Sequence, residues 1–255
     1  MSDKFDYYDA IAHLVPGTLG LVVLVYFMYL AGLSLPSLPA GNAGALAIGV
    51  ALAYLLGHIL QSLASTLEPL FYFLWGGKPS IKYLMNDAEF ISGVQRHELL
   101  SQMEDFFGLP HAADTPRSER PRHYDYLFDR CKTLCNKEKL GRVEKFVTVY
   151  GFHRVMLTIF FLAFLSFGLV WALYATGHML LIATKLSELH FILALVGIGL
   201  VIEFPRTKKR GMHYSGEVFF QSLEYIQAAC RHQPSAVSGL SSRKIPVPGA
   251  VVPED

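Results

Sequence analysis

Charged residues make up only 17% of this sequence, and the motifs that most often announce an enzyme are missing from it. With 52% hydrophobic residues and a mean hydropathy of +0.34, so little charge excludes an ordinary soluble domain. There is no GxxxxGKS/T phosphate loop, no GxSxG nucleophile turn and no GxGxxG dinucleotide fingerprint. "HELLS" at His97–Ser101 opens like the zinc-protease HExxH but carries Ser101 where the second histidine ligand must stand, so the match fails. "CKTLC" sets Cys131 and Cys135 one helical turn apart. A structural zinc site wants four ligands and the nearest histidine, His123, lies two turns away, so core packing is the expectation and no metal is assigned. No apolar run carries the paired carboxylates of an intramembrane hydrolase or proton pump; the one acid read at membrane depth is Glu203, beside the end of its run. No catalytic residue and no cofactor are assigned, and no internal repeat is visible.

What the sequence does have is apolar length. A membrane-spanning helix needs about 20 mostly apolar residues, and four segments qualify: 14–35, 43–64, 155–176 and 186–204. The expected fold class is an all-α membrane protein of four transmembrane helices with a helical cytoplasmic region. Its expected parts are a cytoplasmic N-terminus (1–13), a hairpin of the first two spans (14–66), a helical cytoplasmic domain (67–154), a second hairpin (155–204), a C-terminal cytoplasmic helix (205–232) and a disordered Ser/Pro/Gly-rich tail (233–255). The lead-in to the first span has three aspartates against one lysine, and its apolar run exceeds a signal peptide's core, so the span is expected to be retained.

Orientation follows the cations. The link between spans one and two, "PSLPAGN", is uncharged, and the link between three and four carries only Lys185 and Glu188. Every other lysine and arginine falls in the N-terminus, the middle region or the C-terminal region, which places all three in the cytoplasm. Tyr7 and Tyr8 before span one, Phe71, Tyr72, Phe73 and Trp75 after span two, and Trp171 and Tyr174 at the far end of span three sit where interfacial aromatics belong. In that compartment Cys131, Cys135 and Cys230 stay reduced.

The water-facing part reads as helical. Tyr124, Leu127, Phe128, Cys131, Leu134 and Cys135 repeat at helical spacing and form one apolar face, with Asp125, Arg130, Lys132 and Lys137 outside it. A second helix is expected over 87–107, capped by Asn86 with Glu89 three residues on and stopped by "GLP". A proline-punctuated loop follows at 110–122. A third helix, 142–153, runs without a breaker into span three, a route for movement in the cytoplasm to reach the membrane, and 215–231 forms a last amphipathic helix.

The polar residues at the end of span two are the first site candidates. Ala45, Gly49, Ala53 and Gly57 recur every four residues, followed on the same ridge by Gln61 and Ser65. Small residues so spaced let two helix backbones approach closely. Two readings of His58, Gln61, Ser62 and Ser65 stand side by side: interhelical hydrogen bonds of modest strength, about 0.6 kcal/mol each, or the lining of a wet path in an oligomer. Basic residues supply the second candidate. Arg117, Arg120 and Arg122, with His123 and Tyr124 beside them, offer guanidiniums and aromatics for a phosphate, nucleotide or oligonucleotide, against the alternative of a solvated loop diluted by Asp114, Glu119 and Asp125. Arg206, Lys208, Lys209 and Arg210 follow span four, where topology and anionic headgroups both favour them.

The opening "FDYYDAIAHLVPGTLGLVVLVYF", an acidic and aromatic lead-in to Leu14-Val15-Pro16-Gly17 and then a span, resembles the start of small bacterial membrane proteins of defence-type gene clusters. Pro16 suits a helix opening, where its missing N–H costs little. The layout as a whole is similar to transmembrane effectors of nucleotide-signalled anti-phage systems such as CBASS or Hailong. That resemblance implies a partner nucleotidyltransferase whose product controls an effector that breaches the bacterial inner membrane; it carries over no ligand-binding residue. The expectation is an inner-membrane homo-oligomer in contact with lipid, a gated pore or membrane-disrupting effector controlled through its cytoplasmic helices. The alternatives are a non-conducting scaffold that recruits a partner, and a lipid-modifying enzyme using His13, His58 or His153.

Overall fold

The structure is a computed structural model that describes residues 7–33, 43–85, 91–177 and 183–232. Asn86, Glu89 and the 233–255 tail lie outside the described residues. Among the described residues there are seven helices: α1 (Tyr7–Leu30), α2 (Ala43–Leu74), α3 (Pro79–Met85), α4 (Gly93–Phe107), α5 (Arg120–Lys137), α6 (Gly141–Ala175) and α7 (Ala183–His232). No strand occurs among the described residues. The chain is all-helical, and α1, α2, α6 and α7 each hold a stretch long and apolar enough to cross a membrane.

Contacts divide the chain into two compact units. The first contains the described residues through Tyr83 together with Gly141–Glu217; the second contains Leu84–Leu140 and the described residues from Val218 onward. Residues 67–83 and 141–154, which their polarity assigns to the water-facing part, thus group with the spans. The reason is helix continuity. α2 continues as one helix for ten residues beyond position 64, and α6 is one helix from Gly141.

In the first unit the four long apolar helices meet through three apolar clusters. Leu30, Phe167 and Leu189 join α1, α6 and α7; Leu60, Ala64, Val155 and Ile159 join α2 to α6; Phe71, Trp75 and Leu157 extend that contact, with Phe204 of α7 packed against it. Proline interrupts three of these helices without ending them: Pro16 in α1, Pro69 in α2 and Pro205 in α7. Pro16 is therefore interior rather than opening, because α1 starts nine residues earlier at Tyr7. Likewise α7 continues through Pro205, so the expected break between span four and the helix at 215 is absent. Each ring deletes one backbone bond, to the carbonyl of Ala12, Ser65 or Val201, a loss that packed spanning helices tolerate.

The second unit is built from α4, α5 and the last part of α7. α4 starts at Gly93, six residues later than expected for an Asn86 cap, because Ser92 and Gln95 form a reciprocal capping box; Gly108 at φ 64° closes it. α5 turns Tyr124, Leu127, Phe128, Cys131 and Cys135 inward. Cys131 Sγ lies 3.6 Å from Met103 Sδ, Cys135 Sγ lies 3.2 Å from Ser222 Oγ, and the rings of Phe128 and Phe219 meet edge to face at 5.6 Å. Burial pushes the Cys131 thiol up to about 12.

Candidate functional site

The small residues of α2 position its neighbour. Ala53 and Gly57 are buried against α1, and a Cβ added at Gly57 would collide with the carbonyl of His13, just as one at Gly17 would collide with the carbonyl of Ala53. The two glycines thus let the α1 and α2 backbones touch, which no larger residue permits. Gly49 meets nothing within 4 Å, and Ala45 is half-buried. The close approach is confined to the C-terminal half of the ridge.

Beside this crossing, His58 stacks on His13 with ring centroids 4.0 Å apart and meets the edge of Tyr54 at 4.6 Å. His58, Ser62 and Ser65 are exposed, whereas Gln61 is half-buried and abuts Gly151 of α6. The Ser65 hydroxyl donates to the Gln61 carbonyl at 3.0 Å, and Ser62 lends its carbonyl to Thr66 at 3.2 Å. Ser65 and Thr66 are therefore satisfied by their own helix. The imidazole of His58 is the polar group on this face that lipid would penalise most.

One turn further along α2 lies a site that the residue patterns above do not single out. Glu68 accepts from the hydroxyls of Tyr72 and Tyr150 at Oε1, 2.5 and 2.7 Å away, and from Arg154 at Oε2, 2.9 Å away. The two tyrosine oxygens are 3.4 Å apart, and the Arg154 guanidinium also covers the Tyr150 ring. Both members of the Glu68–Arg154 pair are largely buried, at 19% and 13% side-chain exposure. The next layer on α6 repeats the device. His153 Nδ1 is 2.8 Å from Glu203 Oε2, and the Thr207 hydroxyl bonds the carbonyls of Glu203 and His153. α2, α6 and α7 are thus tied by buried polar contacts where their apolar surfaces end. The signal was present: Gln61, Ser65, Glu68 and Tyr72 continue one helical face, but Glu68 falls past the apolar run that defined span two.

In the second unit the five residues proposed from sequence to meet a phosphate differ in their surroundings. Arg117 and Arg122 are exposed. Arg120 bonds the carbonyls of Thr115 and Ala113 at 3.2 and 3.5 Å, clamping its own loop. His123 Nε2 lies 2.8 Å from Glu104 Oε1, and Tyr124 is buried, its hydroxyl held in the neutral form by that burial. Glu104, 2% exposed, also takes the Ala112 N–H at 3.0 Å and faces His111 Nδ1 at 3.2 Å. A buried carboxylate thereby organises the loop after α4. Among the described residues no group of three or more His, Cys, Asp or Glu is arranged to hold a metal.

Comparison of the chain with family models, with curated proteins and with solved structures gives no match.

Proposed function

We propose that this protein is a bacterial inner-membrane effector that assembles from several copies into a ligand-gated pore or membrane-disrupting channel, controlled through its cytoplasmic helices, in anti-phage defence. The observation that supports this reading best is the polar row that one copy leaves uncovered on α2. His58, Ser62 and Ser65 are spaced i, i+4, i+7 and all are exposed. An ionisable side chain at membrane depth faces protein or water rather than lipid, so a second copy or a wet path covers His58. The cleft between α1, α2 and α6 is no substitute: it holds about 270 Å³ and is lined by Val23, Phe27, Leu56, Leu60 and Ile159, all apolar. A conducting route therefore lies between copies.

Control enters through the second unit, where a nucleotide or oligonucleotide from a partner nucleotidyltransferase meets the exposed guanidiniums of Arg117 and Arg122. The test is ion flux into liposomes per assembled particle, for wild type and His58→Leu, with and without added cyclic nucleotides and oligonucleotides. The reading expects flux in wild type and a loss in His58→Leu with assembly intact. Equal flux in both removes His58 from the path. No flux under any ligand condition replaces the pore by a non-conducting scaffold that recruits a partner.

A further inference from the structure

The corner where α2 turns into α3 carries a second site. Gly76 and Gly77, at φ 74° and 135°, end α2 and fold the chain back so that Lys82 Nζ reaches the carbonyl of Trp75 at 2.6 Å. The same ammonium stands against the turn, 3.2 Å from where a Cβ on Gly76 would lie. Lys208 of α7 comes to the same corner: it lies one turn past Phe204, whose ring packs on Trp75 at 5.9 Å, and one turn before Gly211, which faces Pro79 of α3. Among the described residues neither lysine has a carboxylate partner, because the acids of this unit that flank them are engaged elsewhere: Glu68 with Arg154, Glu203 with His153 and Glu217 with Arg142. Two lysines brought to one corner with no carboxylate on either call for an anion.

Two further observations bear on which anion. Trp75 is 4% exposed, and its Nε1, like the Oγ of buried Ser80, has no hydrogen-bond partner. Its ring packs on Phe204, one turn before Lys208. Depth is the other observation. From Ala43 to Trp75, α2 rises about 48 Å at 1.5 Å per residue, and from Lys185 to Lys208, α7 rises about 35 Å. A bilayer has a hydrocarbon core of about 30 Å and is about 40–45 Å thick with its headgroups. Lys82, Lys208 and Trp75 therefore stand at the headgroup level of one face, where tryptophan and lysine both settle.

We propose that Lys82 and Lys208 together hold the phosphate of an anionic phospholipid headgroup. Each lysine supplies a charge-assisted bond to a phosphate oxygen. The site rests on membrane placement and not on conduction, so it stands or falls apart from the pore reading.

The test uses the full chain in nanodiscs of phosphatidylcholine with one-fifth phosphatidylglycerol, as order-of-magnitude proportions, with lipid retention read by native mass spectrometry. Wild type is expected to retain phosphatidylglycerol preferentially. Lys82→Gln with Lys208→Gln is expected to lose roughly 25-fold in that preference, since each interfacial lysine contributes about fivefold. Lys209→Gln with Arg210→Gln removes as much charge from exposed positions of the same helix and is expected to retain it. Lys208→Gln alone serves if the double variant does not fold, with a roughly fivefold loss expected. Equal retention by wild type and either lysine variant, or an equal loss in the Lys209/Arg210 control, overturns the proposal. Displacement of the lipid by millimolar inorganic phosphate reassigns the site to a soluble phosphate and overturns it as well.

Discussion

The Glu68 carboxylate lies 2.9 Å from the Arg154 guanidinium, 86 residues apart in sequence and on two different spanning helices. A buried pair of this kind holds its helices in register more than it adds net stability, because desolvation offsets much of the attraction. Glu68→Gln strands the Arg154 charge and is expected to lose about 3 kcal/mol. Glu68→Leu combined with Arg154→Leu strands no charge, leaving the Tyr72 and Tyr150 hydroxyls, 3.4 Å apart, to partner each other, and is expected to recover at least half of that loss. Thermal unfolding in detergent measures both, and a double variant worse than either single one would show that the pair itself supplies the stability.

The crossing of α1 and α2 gives a second outcome. Gly57→Leu and Gly17→Leu each drive a side chain into backbone, a clash of about 3 kcal/mol or more, whereas Gly49→Leu enters open space. Protomer stability is expected to fall in the first two and hold in the third. Three equal melting points would remove the crossing as the cause.

Ligand control is tested on Arg117 and Arg122 alone, because Arg120→Ala would release the loop that this side chain clamps. If a phosphate-rich ligand binds there, affinity falls steeply between about 50 and 200 mM salt, and Arg117→Ala with Arg122→Ala abolishes that slope. Salt-independent binding, or none, leaves a solvated loop.

The thiols report on the second unit. Cys131 is pushed up to about 12 by burial, against ~8.5 for a free thiol. Its protonated form is favoured on folding, so the corresponding stability is complete below about pH 8.5 and is lost as the pH rises toward 12. At pH 8 a thiol reagent is expected to titrate exposed Cys230 in the native protein and all three cysteines after unfolding. Fast reaction of Cys131 in native protein would contradict its burial.

Orientation has its own measurement. In a Cys230→Ser background, a cysteine at exposed Thr176 is expected to react with a membrane-impermeant reagent from outside intact cells, and one at Ser118 is not. Labelling at Ser118 reverses the orientation.

The helices were legible wherever one physical signal dominated. Apolar length marked the four long ones, and the spacing of Tyr124, Leu127, Phe128, Cys131 and Cys135 named the buried face of α5. The misses arose where tertiary contact overrode local preference. Pro205 reads as a stop, yet α7 passes through it because Gly199, Thr207 and Gly211 on either side are packed against Phe160, His153 and Tyr150 of α6. Glu68 reads as the polar end of a span, and only the fold brings Arg154 and Tyr150 to it. The start of α4 was read at an Asn86 cap with Glu89, whereas the structure places the capping box at Ser92 and Gln95. Arg120 illustrates the limit for sites: charge spacing names the guanidiniums in a loop, not the carbonyls that one of them is already holding.

The interior prolines have a mechanical meaning. A helix resists bending through its continuous ladder of backbone bonds, and a turn that lacks one rung is its softest point. α2 and α7 carry that softness at Pro69 and Pro205, each within two residues of a largely buried side-chain contact, Glu68 with Arg154 and Glu203 with His153. Compliance and clamp thus coincide along both rods. Releasing either contact frees the one turn of its helix that yields most easily, so a small chemical change there is converted into an angular one.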